Sequence, residues 1–297
     1  MKYILLFIIL IPLAGKAQLL DNSKGTAFSE IPFFNETFIR NNHLKSIKGT
    51  YTLKKLDDVM RETDFVSVYE FDQKGHLVQS YETKKLNDKT DTLVLAYGYD
   101  SRGNLAFVRR KGQNGYWSTH YQYDSLNRKI REEYRRDIDT SGSLLVPVFE
   151  RSTILNFETM TYANYDKQQK MTVYNNYGFP FMEELNNYDQ DGYLLNKESK
   201  LKMTSQTVTT LYGYTEKGWI SKITTISPAN PKTNQEILFK YDEQGNLVEK
   251  HVYKNGVFAT DLQVIYNQKT GLISSILTRD VATNFISILR FDEYRYY

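Results

Sequence analysis

A short phrase, aromatic-Asp-x-x-Gly-x-Leu, returns again and again through this chain of 297 residues, and nothing else in it restricts the fold so far. Its clearest copies are Tyr99-Asp100-Ser101-Arg102-Gly103-Asn104-Leu105, Tyr188-Asp189-Gln190-Asp191-Gly192-Tyr193-Leu194 and Tyr241-Asp242-Glu243-Gln244-Gly245-Asn246-Leu247. Phe71-Asp72-Gln73-Lys74-Gly75-His76-Leu77 differs only in its leading ring. Weaker copies begin at Tyr123, Tyr165, Tyr214 and Tyr266, and a truncated one at Phe291, so successive leading aromatics lie 28, 24, 42, 23, 26, 27, 25 and 25 residues apart. A recurrence of that size marks a repeat architecture. Asp favours the first position of a type I turn, and the residue three places later must often take a positive φ, which glycine does freely. Asp72 with Gly75, Asp100 with Gly103, Asp189 with Gly192 and Asp242 with Gly245 are therefore structural turn pairs, each closing a hairpin loop of roughly three to five residues with a bulge. Asn127 stands in for the glycine in one copy, the next-best residue for a left-handed conformation, whereas Gln169 breaks the pattern in another.

The sequence around the turns has strand periodicity. Leu93, Leu95 and Tyr97 alternate with smaller partners, as do Ile237, Phe239 and Tyr241, and Leu262, Val264 and Tyr266. Asn114-Gly115 and Asn255-Gly256 are return-turn signals between the main turns, so each repeat reads as one hairpin. The expected fold is all-β, with about sixteen to twenty antiparallel strands in sequence order; an open sheet of more than ~10 strands must curl, which predicts a long spiralling or curled sheet. The alternative is a β-propeller, two repeats of ~25 residues making one blade. The 42-residue interval from Tyr123 to Tyr165 reads as one long hairpin or a decayed repeat around Thr140-Ser141-Gly142-Ser143.

Residues 1–17 look like an export signal: Lys2, an apolar run from Tyr3 to Leu13 too short to span a bilayer, and small residues in Gly15-Lys16-Ala17. Residues 18–43 form a lead-in with one short helix over 35–42 capped by Asn35, expected to cover the first sheet edge, and residues 44–297 form the repeat sheet. Loss of Lys2 and Lys16, with no acid, brings the formal charge from +3 to +1. That balance argues against a nucleic-acid partner. The chain has no cysteine, which removes disulfides, thiolate chemistry and a lipidated cysteine, and no second long apolar run predicts membrane insertion. A soluble periplasmic or extracellular protein is expected. The last strand, Phe285 to Phe291, is expected to carry a free outer edge open to strand addition.

Catalytic and metal-binding signals are weak. His43, His76, His120 and His251 stand at no metal-ligand spacing, and Asp189-Gln190-Asp191-Gly192 starts like a calcium loop but lacks the later Glu. There is no Gly-x-Ser-x-Gly elbow and no phosphate-cradling loop. Neither a metal nor a cofactor is expected.

The repeated Tyr-Asp-x-x-Gly-x-Leu phrase, over roughly Val66 to Tyr297, resembles the YD-repeat or RHS-repeat family, whose members build long spiralling antiparallel sheets. In its large members the sheet forms a shell around a toxic C-terminal domain; this chain is far shorter and lacks the Asp-Pro-x-Gly segment, so toxin delivery is not carried over. The resemblance implies a small secreted repeat protein of the bacterial envelope.

Aromatic excess is the one feature with a functional alternative to core packing. The chain has 24 Tyr and two Trp, and Tyr116, Trp117, Tyr121, Tyr193 and Trp219 lie on or beside turns, where rings stack on sugars or anchor a protein partner. The repeat-position tyrosines read instead as a laddered core. The expected function is a non-enzymatic binding or scaffolding module for a protein or glycan. The alternative is a glycan-active hydrolase, which requires two inward carboxylates ~5 to 9.5 Å apart.

Overall fold

A computed structural model describes residues 18–86, 89–112, 115–143 and 145–297. The proposed export signal lies outside the described residues. Among the described residues the structure is all-β apart from one short α-helix, α1 (Glu36–Asn41), and a single 3-10 turn. Its strands are β1 (Leu44–Lys54), β2 (Arg61–Phe71), β3 (Leu77–Leu86), β4 (Lys89–Tyr99), β5 (Leu105–Gly112), β6 (Gly115–Tyr123), β7 (Lys129–Asp139), β8 (Phe149–Tyr165) and β9 (Gln168–Tyr174). They continue with β10 (Pro180–Tyr188), β11 (Leu194–Leu201), β12 (Thr207–Tyr214), β13 (Ile220–Ile226), β14 (Gln235–Tyr241), β15 (Leu247–Lys254), β16 (Val257–Tyr266), β17 (Ile273–Asp280) and β18 (Phe285–Tyr296).

Every strand pairs antiparallel with its sequence neighbours, and β18 pairs with β1 from Leu44↔Tyr296 to Lys54↔Ile286. The sheet is thus a closed up-and-down barrel of 18 strands. The all-β class and the antiparallel strands in sequence order are as expected, but the complete closure corrects both expectations of architecture, the curled or spiralling sheet and the propeller. A curling sheet of this many strands removes its edges altogether once the first and last strands meet. It also corrects the expected free edge at Phe285–Phe291, because β18 is hydrogen-bonded to β17 on one side and to β1 on the other.

The repeated phrase builds one rim. In the β2–β3 turn, the Asp72 N–H donates to the His76 carbonyl (2.9 Å), the Gly75 N–H donates to the Asp72 carbonyl (3.0 Å), and Asp72 Oδ1 accepts from the backbone of Lys74 and His76. At Asp100, Asp124, Asp189 and Asp242 the Asp N–H again donates to the carbonyl four residues on and Oδ1 accepts that residue's N–H, and the left-handed residue donates to the Asp carbonyl at Asp100, Asp124 and Asp242. Gly103, Gly192 and Gly245 sit at φ +84°, +86° and +87°, and Asn127 takes the position at +58°. The Tyr165 copy departs from the pattern: β8 and β9 pair directly through Tyr165↔Gln168, without the bulge. A copy not singled out in the sequence, Asn175-Asn176-Tyr177-Gly178, makes the same turn on the opposite rim. At Asn255 and Gly256 both φ values are positive (50° and 77°), the requirement of a tight two-residue hairpin. The long interval holds one hairpin, β7 and β8, joined by 140–148.

Apart from Tyr165, the leading aromatics fall at register shifts, as at Gly98/Tyr99, Gln122/Tyr123, Gly213/Tyr214, Lys240/Tyr241 and Ile265/Tyr266. The bulge swings the ring inward so that its hydroxyl reaches the previous repeat. Tyr99 donates to the carbonyl of Leu77 (2.9 Å), Tyr123 to Leu105 (2.8 Å), Tyr214 to Leu194 (2.9 Å), Tyr241 to Ile220 (2.7 Å) and Tyr266 to Leu247 (3.0 Å). Tyrosine is thus used as a repeat-to-repeat hydrogen-bond bracket as well as an apolar ring.

The lead-in does not cover an edge, since none exists. It enters the lumen as a plug. Leu19, Leu20, Ala27, Phe33, Phe34, Phe38 and Ile39 are buried in one cluster with inner-wall residues such as Phe71, Phe239, Leu262 and Leu289. Phe34 packs edge-on against Phe71 at 5.0 Å and Tyr69 at 4.9 Å. Helix α1 is capped by Asn35, whose side chain accepts from the Phe38 N–H, and it rests against the repeated-turn rim at Gly75 and His76.

The outer wall has a different chemistry. Cross-strand ion pairs run around it: Lys48–Glu293 (3.3 Å), Arg109–Asp137 (2.6 Å), Lys170–Glu183 (2.9 Å), Lys222–Glu236 (2.6 Å), Lys240–Glu249 (2.7 Å) and Arg279–Asp261 (3.2 Å). These residues alternate along their strands with the inward ones, as the pleat requires.

Candidate functional site

Eighteen strands enclose a lumen too wide for wall side chains alone to fill. The plug packs against β1–β4 and β13–β18 and leaves space on two sides. One cavity of ≈ 330 Å³ lies between Phe28, Ser29, Glu30 and Phe33 of the plug and the inner faces of β1–β4 and β16–β18. Another of ≈ 730 Å³ separates Ile31, Pro32 and Phe34 from Tyr121, Tyr123 and Lys129 on β6 and β7.

The smaller cavity has an apolar and a polar side. Phe28, Phe33, Leu77, Leu95, Leu262 and Ile276 form the first; Ser67, Ser80, Glu82, Thr278 and Ser287 contribute to the second, with Tyr51, Tyr69 and Tyr97 between them. Register explains the grouping: Ser67 faces Glu82, Tyr69 faces Ser80, and Glu82 faces Leu93, so all lie on the inner face. Tyr51 hydrogen-bonds Glu82; burial, and then the Glu82 charge, push the Tyr51 hydroxyl far above its ordinary value. Burial also raises Tyr97, to about 12. Phe28, at the cavity wall, has φ +61°, a strained conformation for a bulky residue.

The plug is held by a few polar ties. Asn22 Nδ2 donates to the Tyr241 hydroxyl (2.8 Å), Lys250 Nζ to the Ala27 carbonyl (2.8 Å), and the Tyr97 hydroxyl to the Glu30 carbonyl (3.1 Å), while Arg110 pairs with Glu30 at 2.5 Å. Burial lowers the Lys250 pKa.

The five aromatics singled out in the sequence do not converge. Trp117 and Tyr121 are on the inner wall of β6, since Trp117 pairs with the inward Arg110. Trp117 stacks on Tyr134 (5.5 Å, 4° between planes), and Arg136 lies 5.4 Å from the Trp117 ring centre. Tyr116 is on the outer face, buried edge-on against Phe149 with its hydroxyl 3.3 Å from the Ser143 carbonyl. Tyr193 and Trp219 sit on the repeated-turn rim. Each follows a turn glycine and leans over the next turn: Tyr193 on Tyr214 (4.8 Å) beside Gly218, Trp219 on Tyr241 (5.2 Å) beside Gly245. The turn pairs Asp72–Gly75, Asp100–Gly103, Asp189–Gly192 and Asp242–Gly245 stay local to the rim. Sequence reasoning missed Tyr51, Glu82, Tyr134 and the plug phenylalanines.

Glu132 and Glu158 are cross-strand partners on the inner wall, in one row with Tyr121. Glu132 pairs with Lys129, and Glu158 is raised by burial and then by Glu132. Glu133, next along β7, points outward between Arg131 and Arg135. Among the described residues no group of three or more His, Cys, Asp or Glu is placed to hold a metal ion.

No protein-family model and no curated protein matches the chain. Among solved structures it is similar to a porin-like protein from Bacteroides uniformis ATCC 8492 (9% identity, TM-score 0.39, covering 84% of this chain and 98% of that one). It is also similar to a porin-like protein from Bacteroides vulgatus ATCC 8482 (9% identity, TM-score 0.30, 71% and 95% covered). A LolA superfamily protein from Nitrosomonas europaea follows at 10% identity and TM-score 0.24, with 86% and 87% covered. Scores this low transfer no role to the chain.

Proposed function

We propose that the chain is an exported, non-enzymatic binding module of the YD-repeat type whose ligand compartment is the barrel lumen. The observation that carries this reading is the space left between plug and wall, bounded on the β6–β7 side by Tyr121, Tyr123 and Lys129, with the stacked pair Trp117–Tyr134 further along the same inner wall. An open, flat aromatic pair beside a guanidinium suits the face of a sugar ring or an aromatic side chain of a protein partner. The ion-paired outer wall supports a barrel that lives in water, in the periplasm or outside the cell: a lipid-facing wall needs an apolar band about 25 Å tall, where charges cost ~2–4 kcal/mol each at mid-depth.

Glycan-array and envelope pull-down experiments on the purified chain test it. The expected result is retention of a glycan or protein that Trp117→Ala abolishes and Trp219→Ala does not. Retention indifferent to Trp117, or none at all, counts against the lumenal site. Fractionation of cells tests localisation: a full-length cytoplasmic protein opposes export.

A glycan-active hydrolase is the second reading, favoured by the Glu132–Glu158 row. Directly paired residues have Cβ atoms about 4.5–5.5 Å apart, and one carboxyl raised by burial beside one held by Lys129 is the asymmetry an acid and its partner need. Glycan hydrolysis lost in Glu158→Gln supports it; an inert purified chain leaves the binding reading.

A further inference from the structure

The smaller lumenal cavity is separate from the Trp117 wall, and its chemistry is more specific. It sets the wall carboxylate of Glu82 among a set of aromatic rings, the other carboxylate at its boundary, Glu30 of the plug, being paired with Arg110. Glu82 projects to the cavity from β3 and is hydrogen-bonded by the Tyr51 hydroxyl. Of the basic groups that reach the lumen, Arg110 is engaged with Glu30 (2.5 Å) and Lys250 with the Ala27 carbonyl (2.8 Å), while Lys84, two residues along β3 on the face of Glu82, is exposed at the strand's far end. Among the described residues Glu82 is ion-paired to no Lys, Arg or His, although outer-wall glutamates such as Glu183, Glu236, Glu249 and Glu293 all are. A half-buried carboxylate without a cation leaves a large part of its charge uncompensated. Tyr51, Tyr69 and Tyr97 stand around the same space, and Phe28 and Phe33 close its plug side. Ring faces beside a carboxylate attract an organic cation by two additive effects, the charge pair and the quadrupoles of the rings.

We propose that this cavity, between Phe28–Phe33 of the plug and Glu82 of β3, is a binding site for a small organic ammonium ion with an apolar body. The ammonium group donates to Glu82, with Ser67 and Ser80 beside it, and the apolar body lies against Phe28, Phe33 and Leu95. The volume of ≈ 330 Å³ sets the size to a compact molecule, at the low end of the roughly 300–1,000 Å³ of small-molecule sites. Neutral alcohols of the same shape keep the apolar contacts and lose the charge pair. Carboxylates of the same shape are repelled by Glu82.

Calorimetric titration of the purified chain with 2-phenylethylamine, 2-phenylethanol and 3-phenylpropionate at pH 7 tests this. The amine should bind saturably with one site per chain and about tenfold or more tighter than the alcohol, and the carboxylate should not bind. Glu82→Gln, which keeps shape and hydrogen bonding, should bring the amine down to the alcohol's affinity and leave the alcohol within about twofold. Equal affinity of amine and alcohol for the parent chain overturns the ammonium class, whatever the folding of the variant, as does no binding by any probe. An amine preference that survives in folded Glu82→Gln also overturns it. The Trp117 retention test reads a different wall and is unaffected by any of these outcomes.

Discussion

Gly75 and Gly192 hold the same place in the same turn with φ of +92° and +86°, but their surroundings differ, so substitution there separates two energies. A Cβ built on Gly192 meets nothing within 4 Å, whereas one on Gly75 falls 2.1 Å from the carbonyl oxygen of Glu36 in α1. At Gly192 only the left-handed backbone penalty applies, about 1–2 kcal/mol for an ordinary residue and less for Asn, which Asn127 already shows is tolerated at φ +58°. Gly192→Val should therefore cost about 1–2 kcal/mol or more and Gly192→Asn well under 1 kcal/mol or so. At Gly75 the backbone oxygen cannot yield without moving α1, which carries buried Phe38 and Ile39. Gly75→Asn should add the loss of that docking, about 2 kcal/mol or more beyond Gly192→Asn. Urea unfolding reads both: with a slope of roughly 3 kcal/mol per molar, a 2 kcal/mol loss moves the midpoint by about 0.7 M. Equal midpoints for Gly75→Asn and Gly192→Asn would refute the placement of α1 on the rim; equal losses for Val and Asn at Gly192 would refute the turn chemistry itself.

Other outcomes follow from the same geometry. Tyr266→Phe should cost about 1–3 kcal/mol by orphaning the Leu247 carbonyl, and Tyr241→Phe should cost more because its hydroxyl also accepts from Asn22 of the plug; equal midpoints would show that this tie contributes nothing. Deleting residues 18–43 should expose Phe71, Leu262 and Leu289 to an apolar dye and abolish the cooperative melt, and a deletion that melts like the parent contradicts the plug as core. Acid should destabilise the rim. Asp100 is held below the usual carboxylate range first by the Asn104 side chain, and Asp124 first by the Arg128 backbone N–H. With folded pKa below unfolded, their stabilisation is complete above the unfolded value and is lost as pH falls from about 4 through the folded one. Melting temperatures measured from pH 7 down to pH 3 should fall, less steeply in Asp100→Asn, and a flat profile counts against it.

The turns were legible in the sequence because they are local. Asp72 and Gly75 are three residues apart and make the bonds that define the turn with each other and their neighbours. Strand alternation is local too, which is why the all-β class and the hairpin order were readable. Closure is not local. Leu44 and Tyr296 pair across almost the whole chain, and neither strand differs in composition from its neighbours. The lead-in carried a usable signal, since Leu19, Leu20, Phe28, Phe33, Phe34, Phe38 and Ile39 crowd a segment with no strand periodicity, too apolar for a cover over an edge. Tyr51 and Glu82 carried none: they are ordinary alternating strand residues until register sets them on one face.

Closure and plug depend on one another physically. A barrel of 18 strands without a filling exposes its apolar inner face at Phe71, Phe239 and Leu289, and a lead-in without the barrel has no surface on which to bury Leu19 or Ile39. The tie between them uses parts of the repeat itself, for the Tyr241 hydroxyl both brackets Ile220 of the preceding repeat and accepts from Asn22 of the plug. Wall and plug therefore order together, and the cavities lie where 26 residues of lead-in, 18–43, run out of side chains against a circumference set by the repeats. Space for a ligand in this fold is thus a consequence of strand number, and its chemistry is set by whichever inward residues, Glu82 and Tyr51 on one side and Tyr121 and Lys129 on the other, face the gap.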